Sequence, residues 1–393
     1  MKMELYQQDR HELLTKLDWD AQKFDEYCNY ILGQTCLKYS SENLWPIHQL
    51  DVDKGDIPQR GFTDFYYGAA GILWALDYWK FQFNFDPSKE YFSLMSSPGF
   101  EGDGKISFFF DKFAFLLFKE KLTPSEKNRA ELDELLSSIS TDDKNEILFG
   151  TPGTMLGVYY LIKLSGDQRF YEHFQRLKRM VLEAWELDNE SHCHMWSQNF
   201  SGSFKLVGAA HGTFGNIQVL LRTKELLSEE EIKLINSRSS EAFQKLSIET
   251  GECANWPKLR GDSNHMLLHW CHGAPGVICD LADYLPRYEK NDELLVKAGN
   301  LIWEAGPLKK GTSICHGTTG NALAFLKLHK RFKDDLWLER AKAFAMHALK
   351  QCQELEKQHG QLRYSLWTGD LGLVWLNMQI KNNTADLPML DVY

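Results

Sequence analysis

Along this chain, stretches almost free of charge alternate with stretches in which apolar and charged positions recur at helical spacing. Ile72-Leu73-Trp74-Ala75-Leu76 and Met155-Leu156-Gly157-Val158-Tyr159-Tyr160-Leu161 are of the first kind, and Asp167 to Glu186 and Asp334 to Gln353 are of the second. A charge-free run suits a helix buried on most sides, whereas a mixed run suits a helix with one face in water. The charge-free runs begin at glycine pairs spaced Gly-x-x-Gly: Gly68 with Gly71, Gly150 with Gly153, Gly212 with Gly215, Gly273 with Gly276, Gly317 with Gly320 and Gly369 with Gly372. A repeated unit of glycine turn, inner helix and more polar outer helix predicts an array of helical hairpins. The interval from Gly71 to Gly153 is wide enough for two units, which predicts a degenerate seventh copy near residue 112. There, Ser107 to Phe118 supplies the apolar helix without the glycines. Seven such hairpins can close into a ring with every inner-helix N-terminus at one end, so the expectation is an all-α ring forming a single domain over 61–393. Residues 1–60, with a helical pattern from His11 to Leu37 and then an irregular segment holding Pro46 and Pro58, are expected to be a helical cover and loop. Strand signals are weak, and Phe81-Gln82-Phe83-Asn84-Phe85 is the one alternating run to watch.

The chain has 393 residues, 43% of them hydrophobic, enough for a large core, although length alone leaves one to three domains open. A formal net charge of -10 argues against a nucleic-acid partner, which normally demands a basic excess on one face. The first ten residues have no apolar core followed by small cleavage residues, so no secretory signal is expected. The most apolar run, Ile106 to Phe118, is interrupted by Asp111 and Lys112 and is too short to span a bilayer. The expectation is a soluble, cytoplasmic protein, while export by a route that reads no N-terminal signal would leave no trace here. Eight cysteines at this length are too sparse for a disulfide scaffold, which favours metal binding in a reducing compartment.

Two of those cysteines carry the chemistry. Cys271-His272-Gly273 and Cys315-His316-Gly317 place a thiol and an imidazole, both favoured zinc donors, directly before equivalent glycine turns. Cys271, Cys315 and one histidine therefore predict a zinc site, and repetition alone does not choose between His272 and His316. Three protein ligands leave a position for water or substrate, the arrangement of catalytic zinc; Cys253 is the alternative fourth donor. A further copy, Ala210-His211-Gly212, keeps the histidine without the thiol. His211 is then an imidazole near the metal but not on it, or else a core histidine. Glu146, four residues before Gly150, would sit at the same end of its own unit and could orient that histidine or share its proton. Lys309 and Lys310 are either a solvated turn or a cationic hold for an anionic substrate. The Gly-x-x-Gly pairs themselves read as tight turns with close helix packing. No copy ends in the Gly-Lys-Ser/Thr of a phosphate loop.

Leu267-Leu268-His269-Trp270-Cys271-His272-Gly273-Ala274-Pro275-Gly276, Cys315-His316-Gly317, Gly306-Pro307-Leu308-Lys309-Lys310-Gly311 and Val207-Gly208-Ala209-Ala210-His211-Gly212 together resemble the lanthionine synthetase C-like family, nearest its eukaryotic-type branch. The similarity covers roughly residues 60–378. It implies an α/α toroid of about seven hairpins, and zinc held by Cys271, Cys315 and His316. It further implies His211 as the acid/base with Glu146 as its acidic partner, and Lys310 and Arg363 as substrate contacts. The implied reaction joins a thiol, either glutathione or a peptide cysteine, to dehydroalanine or dehydrobutyrine in a peptide or protein. Two other readings stay open: a non-catalytic zinc and glutathione binder acting through partner contact, and a toroid enzyme with a different reaction.

Overall fold

Where charge-free runs give way to mixed ones in the sequence, inner helices give way to outer ones in space. The computed structural model describes every residue except 1–3, 53–57, 59, 82–84, 97–105 and 141–143. Among the described residues there are fourteen helices. They are α1 (Ala21–Lys38), α2 (Ala69–Trp79), α3 (Pro87–Met95), α4 (Lys112–Leu122), α5 (Glu126–Ser137), α6 (Thr151–Ser165) and α7 (Gln168–Glu183), followed by α8 (Thr213–Arg222), α9 (Glu229–Lys245), α10 (Ala274–Leu281), α11 (Glu289–Ala305), α12 (Thr318–Phe332), α13 (Asp335–His359) and α14 (Leu371–Asn382).

The pair α6 and α7 shows why the two kinds differ. Every residue of α6 from Thr151 to Ile162 is buried, while α7 buries the single stripe Phe170, His173, Phe174, Leu177 and Val181. The outer helix is capped in the ordinary way, with the Asp167 side chain accepting from the Arg169 N–H. Inner helices α2, α6, α8 and α10 instead start at Gly68, Gly150, Gly212 and Gly273, with no side-chain cap. The second glycine of each pair is held by contact: a Cβ would lie 2.2 Å from the Phe65 carbonyl oxygen at Gly71, 1.9 Å from that of Ile147 at Gly153, 1.9 Å from that of Ala209 at Gly215 and 1.7 Å from that of Trp270 at Gly276. The expected seventh copy is α4, which buries Phe113 to Phe118 and has Asp111 in place of the first glycine.

The helices gather into two compact units. The first comprises Met1–Gln8, Gly104–Ala305 and Lys330–Lys333. In it α4, α6, α8 and α10 pack in series, and outer helices α5 and α7, then α9 and α11, pack on one another. The second comprises Asp9–Asp103, Gly306–His329 and Asp334–Tyr393, with α2 on α3, α13 on α14, and α1 on both α13 and α14. Tyr27 reaches Glu356 of α13, and Asp25 takes hydrogen bonds from Asn377 and Lys381 of α14.

The first helix starts ten residues later than its pattern suggests, because the backbone before it pairs elsewhere. The Glu12 N–H donates to the Pro307 carbonyl, the His11 ring bonds the Gly306 carbonyl, and the Thr15 N–H donates to His347 Nδ1. Strand appears where none was expected: β1 (Glu186–Asp188) pairs with β2 (Cys193–Met195), β3 (Gln198–Asn199) with β4 (Ser203–Phe204), and β5 (Ile248–Thr250) with β6 (Cys253–Asn255), all antiparallel. With two or three residues per strand there is no alternation for a pattern to show. The run from Phe81 to Phe85 lies partly outside the described residues. No helix among the described residues is long and apolar enough to cross a membrane.

One buried histidine gives the second unit a pH dependence. His48 accepts the Leu50 N–H at Nδ1, and burial, reinforced by the nearby Arg363 charge, lowers its pKa from 6.5 to about 4. A lowered folded-state pKa means that the unfolded chain binds the extra proton first as pH falls. The stability that neutral His48 contributes is therefore complete above pH 6.5 and lost as pH drops from 6.5 towards 4. His48→Asn keeps an acceptor for Leu50 and removes the titration, so its thermal midpoint should fall less across that window than the parent's. Equal falls in the two proteins would refute the assignment.

Candidate metal centre and acid–base pair

Setting the repeats against their first glycine shows which positions carry chemistry. The residue immediately before it is Tyr67, Phe149, His211, His272, His316 or Thr368, and the residue before that is Tyr66, Leu148, Ala210, Cys271, Cys315 or Trp367. Four residues before stand Asp64, Glu146, Gly208, His269, Ser313 and Ser365. In several copies this last position covers backbone N–H groups of the turn. Asp64 accepts from Tyr66 and Tyr67, Glu146 from Leu148 and Phe149, and Ser313 from His316. Ser107 does the same for Phe110 in the degenerate copy.

In the first unit this arrangement brings Glu146 and His211 together. The Glu146 carboxyl is fully buried and lies 2.9 Å from His211 Nδ1, while the His211 side chain is 29% exposed. That carboxyl also accepts two backbone N–H groups and serves as an acceptor throughout, so His211 Nδ1 is the nitrogen that donates to it. The His211 turn also lies close against the next thiol turn. The Ala210 N–H donates to the Cys271 carbonyl, and the His211 and His272 rings are 6.2 Å apart. Gly208 makes that approach feasible, because a Cβ there would be 2.4 Å from the Cys271 carbonyl oxygen and 2.6 Å from His272 Nδ1. Cys271 itself is buried, with its sulfur 3.2 Å from His269 Nδ1. His269 and His272 exchange both backbone hydrogen bonds, which closes this turn tightly.

In the second unit Cys315 is buried, its N–H donates to the Trp367 carbonyl, and its Sγ lies 3.8 Å from His316 Nε2. The Tyr66 hydroxyl donates to the same sulfur at 2.7 Å. Tyr66 was missed in the sequence reading, although it stands at the repeat position where two other copies have cysteine. Of the expected substrate contacts, Lys310 is exposed, while Lys309 donates to the Asp9 carbonyl. Arg363 is paired with Asp51 through two nitrogens, and Asp51 also accepts from Thr368. Nothing in the sequence near either residue marks that pairing.

Cys315 and His316 of the second unit and Cys271 of the first are side chains of the kind that could hold a metal ion. Bond lengths of about 2.3 Å to sulfur and about 2.0–2.1 Å to nitrogen put two donors on one tetrahedral ion roughly 3.6 Å apart. The Cys315 to His316 separation of 3.8 Å suits that spacing, and two thiols with an imidazole are a soft set suited to zinc. Cys253 does not fit as a further donor: its thiol bonds Glu304, and burial aided by that carboxylate pushes its pKa up to about 12. All eight cysteines are free thiols.

Comparison with known proteins bears on this site. The model of the family described as lanthionine synthetase C-like protein matches residues 63–392. A glutathione S-transferase LANCL1 of Danio rerio is 28% identical over 212 residues, 51% of this chain and 50% of that protein. A LanC-like protein GCL1 of Arabidopsis thaliana is 29% identical over 240 residues, 59% of this chain and 54% of that one. The chain thus spans about half the length of these curated relatives in the matched regions. Among solved structures, nisin cyclase superposes with a TM-score of 0.58 at 16% identity, covering 93% of this chain and 95% of that one. That likeness shows the fold, the all-α toroid of inner and outer helices expected from the repeats.

The close approach at Gly208 can be tested against a glycine that has space. Gly208→Ala should lower stability by about 1–3 kcal/mol, the usual cost of forcing atoms into a packed interior. Gly33→Ala, within α1 and with nothing within 4 Å of the added Cβ, should raise it by about 0.5–1 kcal/mol. Denaturant unfolding of both variants reads the difference, and a neutral Gly208→Ala would show that the two turns are not in contact.

Proposed function

The chain belongs to the lanthionine synthetase C-like family, and from that premise we propose that it joins a thiol, with glutathione favoured over a peptide cysteine, to dehydroalanine or dehydrobutyrine residues. The observation that carries this reading is a set of soft donors that could hold a metal ion, Cys271, Cys315 and His316, in a chain that also holds an imidazole, His211, bonded to the buried Glu146 carboxyl. When bound, a zinc ion on those three donors supplies the positive charge that keeps a thiol ionised near neutral pH.

The remaining work falls to side chains of this protein. Attack of the thiolate on the β-carbon forms the S–Cβ bond and moves the double-bond electrons onto the carbonyl as an enolate. His211 then delivers a proton from Nε2 to Cα, so the net change is addition of S–H across the double bond. Glu146 fixes the ring so that Nε2 faces substrate, and it offsets the positive charge the imidazole carries before transfer. Tyr66, donating to the Cys315 sulfur, fixes the direction of that ligand. Lys310 meets the anionic ends of the thiol substrate, whereas Arg363 can do so only by giving up Asp51. The same reading takes residues 61–393 as one functional domain with 1–60 as its cover. It also takes the setting as reducing and cytoplasmic, in keeping with eight free thiols.

Elemental analysis should find one zinc per chain in the parent, none in Cys271→Ala, and an undiminished amount in Cys253→Ala. Metal retained after loss of both Cys271 and Cys315 would show that the donors are misassigned. Mass spectrometry of a dehydroalanine peptide incubated with glutathione and the protein should show a single glutathione adduct. His211→Asn should keep the metal and slow adduct formation by roughly 10²-fold or more, while His316→Asn should lose metal and activity together. A protein that binds glutathione yet leaves every such peptide unchanged would be a binding module, and the catalytic reading would fall.

A further inference from the structure

The acid–base pair of the first unit is bordered by aromatic rings that the reaction itself does not require. Phe149 occupies in its own repeat the position that His211 occupies in the next, and it is 39% exposed. Its ring lies 6.2 Å from the His211 ring and within 11° of parallel. Phe110 stacks on Phe149 at 4.7 Å, which keeps Phe149 from folding away. Phe200, on the turn between β3 and β4, is 41% exposed and presents an edge to His211 at 6.1 Å. Above the Phe200 ring stands Lys144, whose ammonium is 5.1 Å from the ring centre and bonds the Asn199 carbonyl.

Phe149 at 39% and Phe200 at 41% exposure keep apolar ring surface in water beside the His211 imidazole, and burial against an apolar partner would be favourable. Glutathione has no apolar side chain to offer them: at neutral pH it carries two carboxylates, an ammonium and a thiol. The other reactant is different, because a dehydroamino acid arrives within a polypeptide. Neighbouring Cα atoms are about 3.8 Å apart. A ring centre 6.1 to 6.2 Å from His211 is therefore within reach of the side chain one residue from the carbon that His211 protonates, and short of one three residues away, roughly 10 Å along an extended chain.

We propose that Phe149 and Phe200 form a subsite for an apolar side chain flanking the dehydroamino acid, so that the electrophile is a polypeptide chosen by an apolar neighbour of the reacting residue. The inference rests on the thiol-addition reading above. It assigns electrophile selection to these two rings and leaves glutathione to groups elsewhere.

The test uses the full chain loaded with zinc and short blocked peptides carrying dehydroalanine, flanked on one side or the other by leucine, phenylalanine, alanine or aspartate. For the parent, kcat/KM should be about tenfold or more higher with leucine or phenylalanine than with alanine on at least one side. Phe200→Ala and Phe149→Ala should shrink that preference to within about twofold and leave the KM for glutathione unchanged. Phe200→Leu, which retains an apolar side chain on the same turn, should keep most of the preference. A second arm titrates the same peptides with serine in place of dehydroalanine, which cannot react, and calorimetry should give the same leucine-over-alanine order. If that order holds in binding while no peptide is turned over, the subsite stands and the proposed reaction fails. Equal kcat/KM and equal affinity for leucine and alanine peptides in the parent overturn the subsite. So does a rise in the glutathione KM of Phe200→Ala as large as the rise for the peptide.

Discussion

A Cβ has no room at the second glycine of four repeats, because the carbonyl oxygen six residues earlier already occupies the space, at 1.7 to 2.2 Å from where that atom would be. The contact folds each approaching turn back over the first turn of its inner helix. What the turn carries is then fixed relative to the helix N-terminus without any side chain being asked to hold it. That is why the two residues before the first glycine can be cysteine and histidine in one copy, tyrosines in another, and leucine and phenylalanine in a third. The backbone makes the turn, and the side chains are free to differ.

Leaving the helix entrance to glycine has an electrostatic result as well. A serine or aspartate at the cap would satisfy the first N–H groups from its own side chain, as Asp167 does for α7. With glycine there, those N–H groups are met by the preceding segment instead, as Thr213 and Phe214 donate to the Leu206 and Val207 carbonyls and Ala274 to the Asn255 side chain, while the positive end of the helix dipole still acts on the turn in front of it. Carboxylates and thiolates are the groups such an environment favours, and Glu146, Cys271 and Cys315 are found in the turns that lead into α6, α10 and α12. Glu146 serves two ends at once. It accepts the N–H groups of its own turn, a structural task Asp64 also performs, and its remaining capacity goes to His211.

The hairpin order, the degenerate copy at α4 and the pairing of Glu146 with His211 were legible in the sequence, because each follows from position within a repeat. What was not legible depends on contacts between segments far apart in the chain. The helical pattern from His11 onward is real, but tertiary backbone partners at Gly306 and Pro307 outbid the local ladder until Ala21. Arg363 has the composition of an anion-binding residue, and only folding reveals that Asp51 is its anion. His269 and Tyr66 stand in the aligned turns, but the residue types at their two positions differ from copy to copy, so only the contacts with the Cys271 and Cys315 sulfurs mark them.

The packing of α1 on α14 has a consequence for the order in which this protein can be made. Asp25 and Cys28 find their partners at Asn377, Lys381 and Leu373, some three hundred and fifty residues later. During synthesis α1 must wait, with Phe24 and Ile31 uncovered, until α14 has left the ribosome. At roughly 5–20 residues per second that interval is tens of seconds, long enough for an apolar face to meet the wrong neighbour. The polar positions interspersed along α1, including Lys23, Asp25, Glu26 and Asn29, keep that helix soluble while it waits.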